Sequence, residues 1–313
     1  MRRHSRYLDL DPQDRGASVA IGNFDGVHLG HQAVIDRARA AAARLDVPLG
    51  VVTFEPHPRS HFAPDAPPFR LMNAETRAHR LDKLGVDQLY ELPFDAGMAA
   101  LTAERFVREV LVGGLGVAHV VVGADFRFGN RRAGDVTLLQ RLGADLGFGV
   151  EIAPLLGQDD TDFSSTAIRK ALSDGDPGRA AKMLGHWHRI DGTVIRGDRR
   201  GRELGFPTAN LSMAGLHLPR FGVYAVLFDV LTGPHAGSYR GAASLGVRPT
   251  FGVNAPNLET HVLDFEGDLY GAEVSVALVE FIRPEAAFDG VAALVAQMHD
   301  DVARIRRVLA ETA

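Results

Sequence analysis

The sequence predicts a doubly wound α/β domain followed by a small antiparallel β-barrel with a C-terminal helix. Three patterns predict it. In the first half, apolar β-branched runs alternate with helical periodicities. In the second half, short strand-like runs punctuated by Gly and Pro take over. A stripe of apolar residues at helical spacing then closes the chain. Alternation of the first kind means a parallel sheet covered on both faces, and the second pattern is that of a small all-β barrel.

The first-half strands are expected at 17–24, 49–54, 86–92, 117–123 and 148–152, and the helices at 29–45, 73–84, 102–112 and 135–146. Asn73, Thr102 and Asp135 are good N-caps, and Gly85, Gly113 and Gly147 are good stops. Two short helical pieces, 166–172 and 178–184, are broken by the run SDGDPG. Strands are then expected at 188–196, 223–230, 239–245, 259–264 and 273–281. Pro284 suits the first turn of the closing helix, whose stripe is Val291, Leu294, Val295, Met298, Val302, Ile305 and Leu309. That stripe reads as core packing. The division falls near Gly185, giving domains 1–184 and 185–313, with no internal repeat.

The chain has 313 residues, 46% hydrophobic and 23% charged, with a net charge of -5, which argues against a nucleic-acid partner. The absence of cysteine excludes disulfides, Cys-ligated zinc and thiol nucleophiles. Residues 1–16 carry positive charge with no apolar stretch behind it, so they do not read as a secretory leader. No apolar run approaches the ~20 residues of a membrane helix. The expectation is a soluble cytoplasmic protein with no membrane partner.

The stretch GNFDGVHLGH, residues 22–31, lies between a strand and a helix. A strand of an open α/β sheet delivers such a turn to its carboxyl edge, where ligands bind. The following helix offers free N–H groups and a partial positive charge. His28 and His31 flank that terminus, and Gly26 and Gly30 let a ligand approach the backbone. Asp25 could complete a metal set with the two histidines, but glycine-rich surroundings at a helix N-terminus favour an anion. Two surface histidines near a turn remain the plain alternative.

Other stretches carry chemistry less distinctly. DFSSTAIRKAL supplies Ser164, Ser165, Thr166 and Arg169, which alone would read as a helix cap followed by a solvated Arg. VTFEPHPR and VVGADFRFGNRRAGD each follow a strand and should reach the same sheet edge. In the second half, GTVIRGDRRGRELGFPTANL begins as a strand and becomes a glycine-rich basic loop. Gly197 and Gly201 permit backbone contact with phosphates, and Arg199, Arg200 and Arg202 supply charge. Thr208 and Asn210 alternate about Ala209, so on a strand they face the same way. A hydroxyl and an amide oxygen are hard ligands suited to Mg²⁺. There is no P-loop motif.

GNFDGVHLGH resembles the His-x-Gly-His signature of the nucleotidylyltransferase superfamily, in the longer form of the bacterial bifunctional riboflavin kinase/FAD synthetase family. SSTAIR resembles that family's Ser-Ser-Thr-x-x-Arg motif, with Phe163 where an aliphatic residue is usual. GFPTAN resembles the riboflavin kinase signature, and GVRPTF and LETHVLDFEGDLYG are similar to the same family. The resemblance covers nearly the whole chain. It implies a nucleotidylyltransferase-like first domain that adenylates FMN to FAD and a barrel that phosphorylates riboflavin to FMN, both with ATP and Mg²⁺. It implies that His28 and His31 grip ATP phosphates, with Gly22, Phe24, Asp25 and Gly30 beside the nucleotide. Ser164, Ser165, Thr166 and Arg169 would hold the β- and γ-phosphates. Asp125, Arg127 and Phe128 could contact nucleotide or flavin, and Phe62 and Phe128 could stack on the flavin ring. Glu259 would be the catalytic base, although a solvent-facing strand position is the commoner fate of any one Glu. Two rivals are a monofunctional adenylyltransferase and a non-catalytic flavin-binding protein. Intact Thr208, Asn210 and Glu259 argue against the first, and intact His28, His31 and Glu259 against the second.

Overall fold

The computed structural model describes residues 1–154, 157–158, 161–197, 201, 204–248 and 255–312. They fall into two compact units, residues 1–67 with 77–164 and residues 68–76 with 165–313. The first unit contains strands β1 (Arg2–His4), β2 (Ser18–Ile21), β3 (Leu49–Glu55), β4 (Gln88–Pro93), β5 (His119–Gly123) and β6 (Gly149–Ala153). They pair in parallel in the order β1-β4-β3-β2-β5-β6. A short antiparallel pair, β7 (Gly157–Gln158) and β8 (Thr161–Asp162), follows. Helices α1 (Leu29–Leu45), α2 (Pro58–Phe62), α3 (Ala74–Lys83), α4 (Ala96–Ala100), α5 (Ala103–Arg105) and α6 (Val136–Leu146) lie between the strands in sequence, and α5 runs on as a π-helix over Phe106–Gly114.

Strand alternation divides the apolar residues between the two faces. Val19, Ile21, Val120 and Val122 pack with Phe106, Val110, Leu111, Leu139 and Leu142 in one core. Ala20, Val51 and Val121, equally buried, point the other way. Helix α1 lies against β2 and β5 and buries Val34, Ile35, Ala38, Ala41 and Ala42. Because both faces are covered, the strands read as continuous apolar runs.

The caps behave as their chemistry demands. Asn73, Thr102 and Asp135 accept the amides of Thr76, Arg105 and Leu138, and Gly147 ends α6 with φ 83°. Gly113 is a correction. It lies inside the π-helix, and the left-handed residue comes later, at Gly116 with φ 61°. The main chain of Tyr7 passes so close to Gly114 that a Cβ there would lie 2.6 Å from the Tyr7 carbonyl oxygen.

The second unit holds α7 (Ser165–Asp174), α8 (Pro177–Leu184), strands β9 (His188–Thr193), β10 (Ala209–Ser212), β11 (Gly222–Val230), β12 (Gly237–Arg248), β13 (Ala255–Val262) and β14 (Glu273–Arg283), and helix α9 (Val291–Ala310). The strands are antiparallel in the order β10-β13-β12-β11-β14-β9. A bridge between Ile195 and Asn210 brings the two ends together, so the sheet is a nearly closed barrel. Its interior is filled by Ile190, Leu211, Val226, Phe228, Leu245, Leu258 and Val276, among others.

The closing helix differs from expectation at its start. Pro284 follows the end of β14, where its missing N–H cannot extend the ladder, and α9 begins only at Val291 after Gly290. Only the later half of the stripe is core. Ile305 and Leu309 pack with Ala225, Val279 and Ile282, whereas Val291 is 62% exposed. Buried Asp301 is held by the guanidinium of Arg283, with Nε at 2.9 Å and Nη2 at 2.7 Å from Oδ2.

His188 on β9 is buried and carries a consequence for acid stability. Burial first, then the neighbouring charges of His186 and His217, push its pKa down to about 3. Unfolded, it would titrate near 6.5. The unfolded chain therefore binds the extra proton between these values, and stability from this residue is intact above about pH 6.5 and drains away as pH falls toward 3. From pH 6.5 to 5 the drop should be on the order of 2 kcal/mol. Urea melts of the wild type and of His188→Leu at both pH values check this. An unchanged pH slope in the variant would refute it.

Candidate functional site

The strand order places the histidine stretch. Strand β2 is central, with β3 on one side and β5 on the other, so the order reverses there. The loop leaving its carboxyl end occupies a switch-point crevice. That loop is tightly made. Phe24 (φ 50°), Gly26 (φ 89°) and Val27 (φ 43°) all have left-handed backbone. A buried β-branched residue in this conformation is strained. The strain is held by tethers on each side: Gly22 N–H donates to Val52 O (3.1 Å), Thr53 Oγ1 to Asn23 O (3.2 Å), and Gln32 Nε2 to Val27 O (2.9 Å).

The two imidazoles stack, with centroids 3.6 Å apart at 20°. His28 is the N-cap of α1, its Nδ1 accepting the amide of His31 at 3.3 Å. An accepting Nδ1 leaves Nε2 as the N–H of the neutral ring. Burial of the His31 ring, then the proximity of His28, hold its pKa well below the ordinary range, so it is neutral at pH 7. Its Nδ1 is buried and has no hydrogen-bond partner among the described residues. An unpaired buried polar atom costs about 1–3 kcal/mol, a debt that a ligand oxygen or N–H would cancel. Asp25 and Phe24 are buried beneath the turn. Among the described residues no three His, Asp or Glu side chains gather as a metal set. The arrangement therefore offers N–H donors and a helix terminus, which suits an anion.

Gly30 has little room. A Cβ there would lie 3.1 Å from His28 Nδ1 and 3.3 Å from the carbonyl oxygen of Phe163. The Phe163 main chain thus passes alongside the start of the histidine helix. Ser164 belongs to the first unit, whereas Ser165, Thr166 and Arg169 belong to the second. There Arg169 donates to Phe69 O (3.3 Å) and Thr166 Oγ1 (3.4 Å) and sits over the Phe69 ring.

The other edge residues separate. Asp125 is exposed on the loop after β5, and Arg127 reaches Asp135 at 3.5 Å. Phe62, on α2, is 68% exposed and touches His61 and Phe94 edge-on. Phe128 is buried, stacked on Phe126 at 5.5 Å and packed against Phe106, whereas Phe62 presents its ring to solvent.

In the barrel four sequence-named residues come together. Asn210 opposes Glu259 across the β10–β13 pair. Thr208 directly precedes β10, and Asn210 Nδ2 donates to its carbonyl (3.2 Å) and hydroxyl (3.4 Å). Gly197 packs on this group so closely that a Cβ would lie 2.7 Å from both Asn210 side-chain polar atoms. Gly201 is similarly confined, 2.3 Å from the Phe206 carbonyl by the same construction. Arg199, Arg200 and Arg202 lie outside the described residues. One member of the cluster escaped sequence reasoning. Asn257, two residues before Glu259 on β13, donates from Nδ2 to Asn210 Oδ1 (2.9 Å) and to Glu259 Oε1 (3.4 Å). Nothing in a lone Asn signals this, because the contact exists only through strand register. A carboxylate beside a hydroxyl, two amides and a backbone-exposing glycine can hold a hard cation with phosphate and take a proton from a hydroxyl.

Known proteins match both halves of the chain. A family model described as FAD synthetase matches residues 10–167, and one described as riboflavin kinase matches 184–309. The bifunctional riboflavin kinase/FMN adenylyltransferase of Pseudomonas fluorescens is 42% identical over 306 residues, covering 97% of this chain and 97% of that protein. The protein of the same description from Escherichia coli K12 is 40% identical over 294 residues, 94% of this chain and 93% of its own. A crystal structure described as a macrolide-efflux protein from Streptococcus pneumoniae superposes with a TM-score of 0.84 at 32% identity, covering 97% of this chain and 98% of that one. Among the described residues no helix is long and apolar enough to cross a membrane. With both family models matching in order and relatives aligned from end to end, the chain belongs to the bifunctional riboflavin kinase/FMN adenylyltransferase family.

Proposed function

We propose that the Glu259 cluster carries riboflavin phosphorylation and the His28–His31 edge carries FMN adenylylation. The chain is a bifunctional enzyme that makes FMN from riboflavin and ATP, and FAD from FMN and ATP with release of pyrophosphate. The observation that carries this is the pair of family matches, FAD synthetase over residues 10–167 and riboflavin kinase over 184–309.

In the barrel, Glu259 accepts the proton of the ribityl 5′-hydroxyl as that oxygen attacks the γ-phosphorus of ATP. Gly197, Gly201 and the basic loop, Arg202 included, bring backbone and charge to the phosphates. Thr208 and Asn210 would hold Mg²⁺, a fit supported by their hard oxygen donors. When bound, that ion neutralises phosphate charge. At the sheet edge the FMN phosphate is itself the nucleophile on the α-phosphorus, so the protein supplies donors and positioning. His28 and His31 are those donors, with Gly22, Phe24, Asp25 and Gly30 shaping the nucleotide cleft. Ser164, Ser165, Thr166 and Arg169 are assigned to the outer phosphates, and Phe62, Asp125 and Phe128 to the flavin. By this reading 1–184 adenylates and 185–313 phosphorylates, in a cytoplasmic setting that suits a chain without cysteine.

The test is product analysis with riboflavin, ATP and Mg²⁺, separating the flavins and counting ADP against pyrophosphate. FMN followed by FAD, with both by-products, is the expected result. FAD only from supplied FMN would mean a silent barrel, and tight flavin binding without turnover would overturn the reading.

A further inference from the structure

Asn257 links the two halves of the barrel cluster, and its orientation is fixed by chemistry. On β13 residues 257 and 259 share a face, and Asn210 lies opposite Glu259. Turning the Asn257 amide over would set its oxygen against Asn210 Oδ1 and against Glu259 Oε1, two oxygen–oxygen contacts. Nδ2 must therefore face both, as found at 2.9 and 3.4 Å. The remaining atom, Oδ1, is buried and has no hydrogen-bond partner among the described residues. Asn210 is fixed in the same sense from its other end, since its Nδ2 donates to Thr208. The result is a directed chain: Asn257 donates to Asn210 and Glu259, and Asn210 donates to Thr208. An amide oxygen has two lone pairs. With one occupied by Asn257, the other lone pair of Asn210 Oδ1 has a set direction.

We propose that Asn257 is a positioning residue for phosphorylation, aiming the Asn210 carbonyl and holding Glu259 beside it. It does not touch the reacting atoms. The inference rests on the roles given above to Asn210 and Glu259. A residue that orients a metal ligand commonly matters by about 10–100-fold.

Asn257→Leu keeps the volume and removes the donor, and Asn257→Gln keeps a donor at greater reach. For Asn257→Leu the expected results are a fall in kcat for FMN formation of about 10–100-fold, with KM for riboflavin essentially unchanged. The Mg²⁺ concentration that half-quenches riboflavin fluorescence in the presence of ADP should rise about tenfold by the same argument. Adenylylation of supplied FMN should be unaffected, and Asn257→Gln should recover part of kcat. Wild-type kcat and Mg²⁺ dependence in Asn257→Leu would overturn the proposal. So would a loss of kcat that tracks a lower melting temperature while Mg²⁺ dependence stays put. Glu259→Gln measured alongside separates the failures: if it still phosphorylates riboflavin, the underlying role of Glu259 falls, whatever Asn257 does.

Discussion

Glu259→Gln should lose FMN formation by roughly 10²–10⁴-fold, the usual worth of a positioned base, while FAD formation from supplied FMN proceeds at the wild-type rate. The substitution is nearly isosteric. Gln retains an oxygen that can accept from Asn257 Nδ2, so the contact made by Oε1 survives. What disappears is the ability to take a proton from the attacking hydroxyl. Glu259 lies in the second compact unit and His28 and His31 in the first, so adenylylation serves as an internal control for folding. Separation of flavin products over time reads both in one experiment. A parallel loss of the two activities would contradict independent sites, and full retention of phosphorylation would remove Glu259 from the chemistry.

The complementary result is expected at the sheet edge. Removing one preorganised donor from a phosphoryl-transfer site costs about 10²–10³-fold in kcat. Alanine is the wrong probe at position 28, because His28 also caps α1 through Nδ1. Losing a cap costs about 1 kcal/mol of stability, which would blur the reading. His28→Asn keeps a good cap acceptor and removes only the imidazole. It should lower FAD formation from FMN by that 10²–10³-fold, leave riboflavin phosphorylation intact, and leave the melting temperature near that of the wild type. Adenylylation within threefold of wild type would mean that the ring does no more than cap the helix.

Much of this arrangement was legible in the chain. Helix α1 starts and stops where the pattern places it, at 29 and 45, because a cap, a glycine-rich turn and an apolar stripe all agree there. The caps of α3, α5 and α6 follow from side-chain chemistry alone. What was not legible depends on the rest of the fold. Strand β1 is Arg2–His4, three polar or charged residues held to β4 by main-chain pairing at a sheet edge, and its side chains carry no apolar signal. Fully buried Arg77 reads as a surface cation of α3, yet it binds Glu55 (3.0 Å) and Glu91 (2.8 Å). Gly113 and Pro284 are local stop and start signals that tertiary context overrode. Phe128 carries the same letter whether exposed like Phe62 or buried, as it is here. Asn257 needed the β10–β13 register before it meant anything.

The seam of the barrel has a dynamic consequence. Ile195 N–H donates to Asn210 O at 2.9 Å, and that bridge joins the sheet's two ends. The side chain of Asn210 belongs to the cluster proposed above for phosphorylation. A peptide at a strand end is where a small barrel opens most cheaply, far below the free energy of global unfolding. Breaking that bridge would free the Asn210 main chain together with its side-chain amide, so closure of the barrel and assembly of the cluster share one residue.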